Sequence, residues 1–545
     1  MSSVSVVCVL SIVLLWQSSL GNGNPLFRKS RWIVGEDGRR VKLACVNWVS
    51  HLQPVFAEGL GKKSVSEISK DIKSNGFNCV RFTWPTDLAT NNTLASLTVR
   101  RNFESLGLYH AIPGIAANNP DLIDLPIIEA YERVVASMDE NGVMVILDNH
   151  LTKPGWCCDR TDGNGFFGDR YFDPEIWIEG LVKMATLFRP YKNVVGMSLR
   201  NELRGPNQTT GSWFKYMPRG AEAVNAANPN VLVILSGLSF DKDLSFLRNQ
   251  KVKTSERLAN KLVFEFHWYS FTDGSAWING NHNEICGTIT GNVKQNVGFL
   301  LDEPYNYPVF LSEFGIDERG GDLNGIRYLS CLMAVMAELD LDWALWTLQG
   351  DYYLRQDTVE LNEVYGLLNQ NWSNIRNTTF LHRISAIQQP LKGPGYSDVT
   401  PYTKLFHPAA GLCLLRKSPG DAHELVLGSC AESESWEYTD EGTLNLKGTG
   451  LGLRAIGVGN PVVVGKLRNS SDEKWSLKSS SKLHIASQIS GKDGFVEVCL
   501  DAGENGIVAS YPCTCLDGDK TCDASGQWFK MVTSTIKPTA EITRF

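Results

Sequence analysis

No Gly-x-Gly-x-x-Gly loop follows an early strand in this sequence, which counts against a doubly wound nucleotide-binding sheet. There is no basic excess either. Lys and Arg total 52 against 59 Asp and Glu, a net charge of −7. A main partner made of nucleic acid is excluded on that ground, because phosphate binding asks for a basic face. Low-complexity tracts are missing. Past the first twenty or so residues no apolar run approaches the roughly 20 residues that span a bilayer.

The one strongly apolar run, residues 4–16, begins almost at the first Met and is followed by Ser18, Ser19, Gly21 and Gly23. It lacks a basic leading segment and is short for an anchor. A secretory signal over residues 1–22 is expected, with no integral membrane anchor after its removal. The cysteines agree: removing Cys8 from the 13 leaves 12, an even number suited to an oxidising compartment. Asn-x-Ser/Thr sequons at Asn91, Asn207, Asn371, Asn377 and Asn469 would accept glycans there. The expected location is secreted, extracellular or cell wall.

From residue 30 to about 390, apolar strands alternate with helical patterns. Arg31–Val34 and Arg39–Leu43 around Asp37-Gly38 read as a hairpin, a short lid strand leading into a first strand at 42–48. Ser64 and Glu67 form a capping box at the head of a helix over 64–74. Strands follow at 77–82, 143–148, 194–199, 231–235, 262–266, 309–311 and 342–346, with helices over 127–141, 175–188, 213–227, 291–302 and 323–338. The connection at 240–258 carries the weakest helical pattern, and 86–125 reads as a long irregular insertion. Eight strands with helices between them predict a (β/α)8 barrel, in the α/β class. Lys392-Gly393-Pro394-Gly395 lies in a linker, 391–400. From 401 to 535 short strands take over. Three units close on Trp436, Trp475 and Trp528, a three-fold β pattern.

Val194–Leu199 ends abruptly in Arg200-Asn201-Glu202. A carboxylate at the tip of a buried strand is costly unless it is paired or has work to do. Arg200 and Arg204 are candidate salt-bridge partners; chemistry is the other explanation. Five further strands end in polar or aromatic residues: Arg81, His150, His267-Trp268-Tyr269, Ser312-Glu313 and Trp346. In a barrel these converge at one mouth. Each has a bland reading as an ion pair, a satisfied core histidine or packing, but their shared position at successive strand ends points to a site. Two carboxyl groups there permit displacement at an acetal carbon, Glu202 as acid/base and Glu313 as nucleophile. Arg81 and Tyr269 would keep Glu313 ionised. Asn201 would donate to a sugar 2-hydroxyl, and Trp346 offers a face for a sugar ring. The apolar strand behind Glu202 would raise its pKa.

In this order and strand by strand, Arg81, His150, Asn201-Glu202, His267, Tyr269, Glu313 and Trp346 resemble the eight residues shared across glycoside hydrolase family 5, the cellulase-like family. The resemblance implies a retaining mechanism through a glycosyl-enzyme intermediate, a carbohydrate substrate (a β-linked polysaccharide, oligosaccharide or glycolipid), no metal and no cofactor. The insertion at 86–125 and the loop 153–168, with Cys157-Cys158, depart from it and would lie over the mouth. The C-terminal third resembles ricin-B-type β-trefoil lectin domains, with degraded Gln-x-Trp motifs at 434–436, 473–475 and 526–528. That likeness implies a Cys413–Cys430 disulfide and leaves one sugar-site candidate, Asp501 with Tyr511 as stacking face. A purely structural trefoil is the alternative. Elsewhere, Cys157 or Cys158 paired with Cys286 would tie two mouth loops, and Cys499 would pair with Cys513, Cys515 or Cys522. Zinc at Cys513-x-Cys515 is disfavoured, since no His lies nearby. Against the hydrolase stand a non-catalytic carbohydrate-binding protein and a transglycosylase using the same intermediate.

Overall fold

The computed structural model describes residues 25–417, 424–491, 494–503 and 506–538. The expected signal at 1–22 and Cys8 lie outside the described residues. Eight parallel strands close into a barrel: β1 (Ala44–Trp48), β2 (Cys79–Pro85), β3 (Met144–Leu151), β4 (Val194–Ser198), β5 (Leu232–Leu235), β6 (Leu262–His267), β7 (Val309–Phe314) and β8 (Asp342–Leu345), the last pairing with both β7 and β1. Every residue of these strands is buried. That is why they read as continuous apolar runs: a parallel strand is covered on both faces. The register sets Asn47 beside Arg81 and, after a shift, His267 beside Glu313, which brings polar strand ends to one rim.

The outer layer holds α1 (Val65–Ser74), α2 (Ile127–Glu140), α3 (Pro174–Leu187), α4 (Thr210–Ala227), α5 (His282–Asn296) and α6 (Leu323–Leu339). Ser64 and Glu67 make the reciprocal capping box of α1. The connection after β5 has only two single turns, Ser245–Arg248 and Glu256–Ala259. Helix α5 starts at His282, well before the 291 expected, because Asn281 caps it by accepting from the N–H groups of Asn283 and Glu284.

Several expectations are corrected. The insertion at 86–125 is not irregular: it forms four short helices, Thr86–Thr90, Asn92–Ala95, Val99–Ser105 and Ile112–Asn118. Leu88, Val99, Phe103, Leu108 and Ile115 pack it into the barrel's core, and asparagine side chains tie its short turns. Asn102 Nδ2 donates to Pro54 O at 2.7 Å, and Asn119 Nδ2 to Leu60 O at 2.6 Å. The N-terminal hairpin pairs Phe27–Lys29 with Trp32–Val34, not across Asp37-Gly38, where a single bridge joins Val34 and Arg40. It is no lid. Leu26 and Ile33 pack with Leu43, Cys45, Cys79, Met144 and Phe310, the residues that plug the barrel at the end where its strands begin.

Twelve antiparallel strands between Tyr402 and Ser534 form the C-terminal all-β region, in two sheets among the described residues. Trp436 and Trp475 lie in its core with Leu405, Leu453, Ile485 and Phe529. Trp528 packs outward against the barrel, its indole donating to Asn283 Oδ1 at 3.0 Å. The twelve cysteines of the described residues form six bridges: Cys45–Cys79, Cys157–Cys158, Cys286–Cys331, Cys413–Cys430, Cys499–Cys513 and Cys515–Cys522. The expected tie from Cys157 or Cys158 to Cys286 is therefore absent. Cys286 sits on α5, not on a mouth loop, and faces Cys331 on the neighbouring α6.

Candidate active site

The strand ends place a buried guanidinium at the centre. Arg81, fully buried on β2, donates through Nη1 to Glu313 Oε1 at 2.8 Å and to Asn47 Oδ1 at 3.0 Å. Its Nη2 donates to Asp148 Oδ1 and to Asn201 Oδ1, each at 2.9 Å, with Glu265 3.6 Å away. A guanidinium taken out of water demands this many acceptors. The acidic surroundings raise its pKa and it stays charged.

Glu313, at the end of β7, also accepts from the Tyr269 hydroxyl at 3.0 Å. Glu202 accepts from His267 Nδ1 at 3.0 Å, and the same nitrogen is 3.6 Å from Glu313. One oxygen of each glutamate and the His267 nitrogen lie within 4.8 Å of one another. Glu202 sits just past β4 with a positive φ of 44°, a region few side chains occupy without being held there. What holds it is Asp241 Oδ2, which accepts the Glu202 N–H at 2.9 Å, and Arg204, whose Nη1 donates to Glu202 O at 2.9 Å.

The expected separation of charge is only half realised. Burial, the largest effect on both, pushes Glu202 and Glu313 alike up to about 7. What differs is the company. Glu313 has a guanidinium and a phenol in direct contact, whereas Glu202 has only a neutral imidazole. Burial keeps His267 neutral by lowering its pKa. In a pair that shares one proton, contact with Arg81 and Tyr269 favours the charge on Glu313.

The remaining predicted residues gather here as well. His150 donates from Nδ1 to Asp148 Oδ2 at 2.6 Å, which leaves Nε2 as an acceptor facing Asn201 Nδ2 at 3.4 Å. Burial drives its pKa well below the usual value, so it too is neutral. His150 stacks between His51, 3.9 Å between centroids, and Trp346, 5.6 Å. Trp346 is half-buried and presents part of its ring to the mouth. Asn201 gives its oxygen to Arg81, so its Nδ2 is turned toward His150 and the sulfurs of Cys157 and Cys158. Asp501 and Tyr511 lie apart from this cluster, in the C-terminal sheets: Asp501 Oδ2 accepts from Gln527 Nε2 at 3.0 Å, and Tyr511 is 42% exposed.

Sequence reasoning missed Asn47, His51, Asp148, Asp241 and Glu265. Glu265, alone between Phe264 and Phe266 in a buried strand and accepting from Ser198, offered the same signal that drew attention to Glu202. Asp241 gave none: it lies in a loop after β5 and its carboxyl is kept well above its usual pKa by burial and by Glu265 and Glu202. Glu202, His267 and Glu313 are close enough to hold a cation. Cys157 and Cys158, also near Glu202, are bridged and have no thiolate to offer.

Residues 50–351 match the family model described as cellulase, glycosyl hydrolase family 5. The chain belongs to glycosyl hydrolase family 5. It is 44% identical over 539 residues to a glycosyl hydrolase 5 family protein of Chamaecyparis obtusa, covering 96% of each chain. An endoglucanase of Paenibacillus polymyxa is 23% identical over 307 residues, 52% of this chain and 69% of that one. Among solved structures, the hyperthermophilic endocellulase of Pyrococcus horikoshii shares the fold, with a TM-score of 0.54 at 20% identity over 67% of this chain and 99% of that chain. As a member of family 5 the protein is an O-glycosyl hydrolase of β-glycosidic bonds, built on a barrel with an added all-β region.

Proposed function

We propose that this protein is a secreted retaining β-glycosidase acting on a β-linked glucan, with Glu313 as nucleophile and Glu202 as acid/base. The observation that carries this reading is the carboxyl pair, with oxygens within 4.8 Å of each other and Arg81 and Tyr269 both on Glu313. Retaining enzymes hold their two carboxyl groups about 5–5.5 Å apart, whereas inverting ones leave about 6.5–9.5 Å for a water. In the first step a Glu313 oxygen bonds to the anomeric carbon as Glu202 gives its proton to the departing oxygen. In the second, Glu202 takes a proton from water, whose oxygen displaces Glu313. His267, neutral and within reach of both carboxyls, orients the proton donor. Asn201 Nδ2 meets the 2-hydroxyl.

The glucan reading is supported by the endoglucanase relative and by an endocellulase of the same fold solved with cellotetraose. Six disulfides and the apolar N-terminal run support secretion. The twelve antiparallel strands and two buried Trp residues in repeat positions support a β-trefoil, and Asp501, with exposed Tyr511 on the adjacent strand, would be its sugar site. A 2-deoxy-2-fluoro aryl β-glucoside tests the chemistry: peptide mapping should find the label on Glu313. Label on another residue, or full activity in Glu313→Gln, would overturn the assignment. With an added acceptor sugar, products longer than the substrate would reveal transglycosylation by the same intermediate. Asp501→Ala should weaken retention on an insoluble glucan while leaving aryl glucoside hydrolysis intact; equal retention would make the trefoil purely structural.

A further inference from the structure

The loop from β3 to α3 carries the bridged neighbours Cys157 and Cys158, and the double displacement has no use for them. Two buried arginines that flank Asn201-Glu202 in sequence hold this loop down. Arg200 Nη2 donates to Asn164 O at 2.5 Å and to Thr152 Oγ1 at 3.2 Å. Arg204 Nε donates to Asp159 O at 3.0 Å, and its Nη2 pairs with Asp162. On the other side of the disulfide, Gly155 N donates to His51 O at 3.2 Å. The bridge is thus fastened on both flanks, directly to the site.

Its sulfurs stand 3.6 and 3.8 Å from Asn201 Nδ2, and both lie within 4.8 Å of a Glu202 oxygen. Asn201 Oδ1 is committed to Arg81, so Nδ2 is the donor left for substrate. A hydroxyl that accepts from it sits beside two sulfurs that hydrogen-bond weakly and cannot swing aside as a surface side chain would. Neighbouring Trp156 keeps its indole N–H buried and without a partner among the described residues, a further donor on the same strip.

We propose that the Cys157–Cys158 disulfide is the wall of the reacting subsite on the C2 side, admitting a sugar with a free 2-hydroxyl and rejecting one that carries a 2-O-substituent. The inference rests on the assignment of the carboxyl pair and adds a specificity-determining element to it.

The test measures binding, so it does not depend on turnover. Calorimetry would compare 4-nitrophenyl 1-thio-β-D-glucopyranoside, which is not cleaved, with its 2-O-methyl derivative. The ether oxygen still accepts from Asn201, and the lost O–H donor is common to wild type and variant, so a change in the preference between them is steric. Wild type should prefer the free hydroxyl by tenfold or more. The Cys157→Ala/Cys158→Ala variant, checked by its melting temperature, should narrow that preference at least threefold. If it does not fold, Asp162→Asn, which loosens the loop and keeps both cysteines, should narrow it in the same way. A wild-type preference under threefold, or one that stays within threefold of wild type in the folded variant, overturns the wall. If neither thioglucoside binds wild type, the glucan reading falls and the wall falls with it, a result distinct from binding without discrimination.

Discussion

In the proposed mechanism, the role of each carboxyl is set by what touches it. Burial alone would treat the two glutamates alike, and it does push both to about 7. Arg81 and Tyr269 then break the tie. A bell-shaped kcat/KM profile is expected. Its acid limb falls as the pair takes a second proton and Glu313 loses its charge. Its alkaline limb falls, near pH 7 or above, as the pair gives up its one proton and Glu202 can no longer act as acid. Glu202→Gln should remove the alkaline limb for a dinitrophenyl glucoside, whose leaving group needs no proton, and should cost about 10²–10⁴ in kcat for natural linkages. An unchanged alkaline limb would assign the proton to another group. Glu313→Gln should lose about 10⁴ or more in kcat with the melting temperature little changed. The eight candidate site residues were legible in the sequence because they cluster toward the carboxyl ends of apolar strands, where a barrel builds its site, although Arg81 lies inside β2 and Glu202 and Tyr269 lie past the ends of β4 and β6. Asp241 was not, because its role is to hold the Glu202 backbone at a positive φ, and no local pattern announces that duty.

At the scale of elements, the outer helices show where periodicity is informative. Helix α6, buried along most of its length, was read within one residue of its end. Helix α5 was misplaced because its first turns are Asn- and Gly-rich and face the C-terminal region instead of the barrel core. That misplacement produced the wrong partner for Cys286. The true bridge, Cys286–Cys331, closes 45 residues between α5 and α6. The loop-entropy model gives about 4 kcal/mol for such a loop. The Cys286→Ala/Cys331→Ala variant should lose stability of that order in urea unfolding. Its kcat on an aryl glucoside should stay within about twofold of wild type, since neither helix contributes a group to the mouth. A large fall in kcat with unchanged stability would return the cysteines to the site.

At the scale of the whole molecule, the barrel and the all-β region share contacts that a flexible tether would not have. Asn281 and Asn283 at the start of α5 donate to Leu516 O and Cys515 O, Trp528 donates back to Asn283, and Lys530 pairs with Glu338 at 2.9 Å. The closing segment is tied in by Asp340, which ends α6 in a left-handed turn. Its carboxylate takes Arg40, Lys42 at 2.7 Å, and the N–H groups of Leu391 and Lys392. These cations hold its pKa well below the usual carboxylate range against the opposing effect of burial. A lowered carboxylate pKa stabilises the fold above the unfolded value, near 3.9, and that contribution fades as pH falls below it. Asp340→Asn should cost about 3–5 kcal/mol at neutral pH, because Arg40 and Lys42 are left buried without their partner. The deficit relative to wild type should shrink as pH falls below about 4. A deficit that is constant across that range would assign the loss to packing.

By itself, the sequence determined the alternation of buried strands and helices, the rim at which polar residues collect and the residue types that meet there. Those are properties of period and position along the chain, and parallel strands express them without ambiguity. Tertiary structure decided what period cannot encode. It buried both glutamates so that each is pushed up to about 7, it folded 86–125 into four short helices packed on the barrel core, and it turned Trp528 toward the barrel. It also brought the loop bearing Cys157–Cys158 down onto Asn201 and Glu202, by means of two arginines that look in sequence like partners for the acid itself. The physical reason is the same in each case: a contact between residues far apart in the chain depends on the closure of the barrel, and only the closed barrel gives a buried charge its choice of partners.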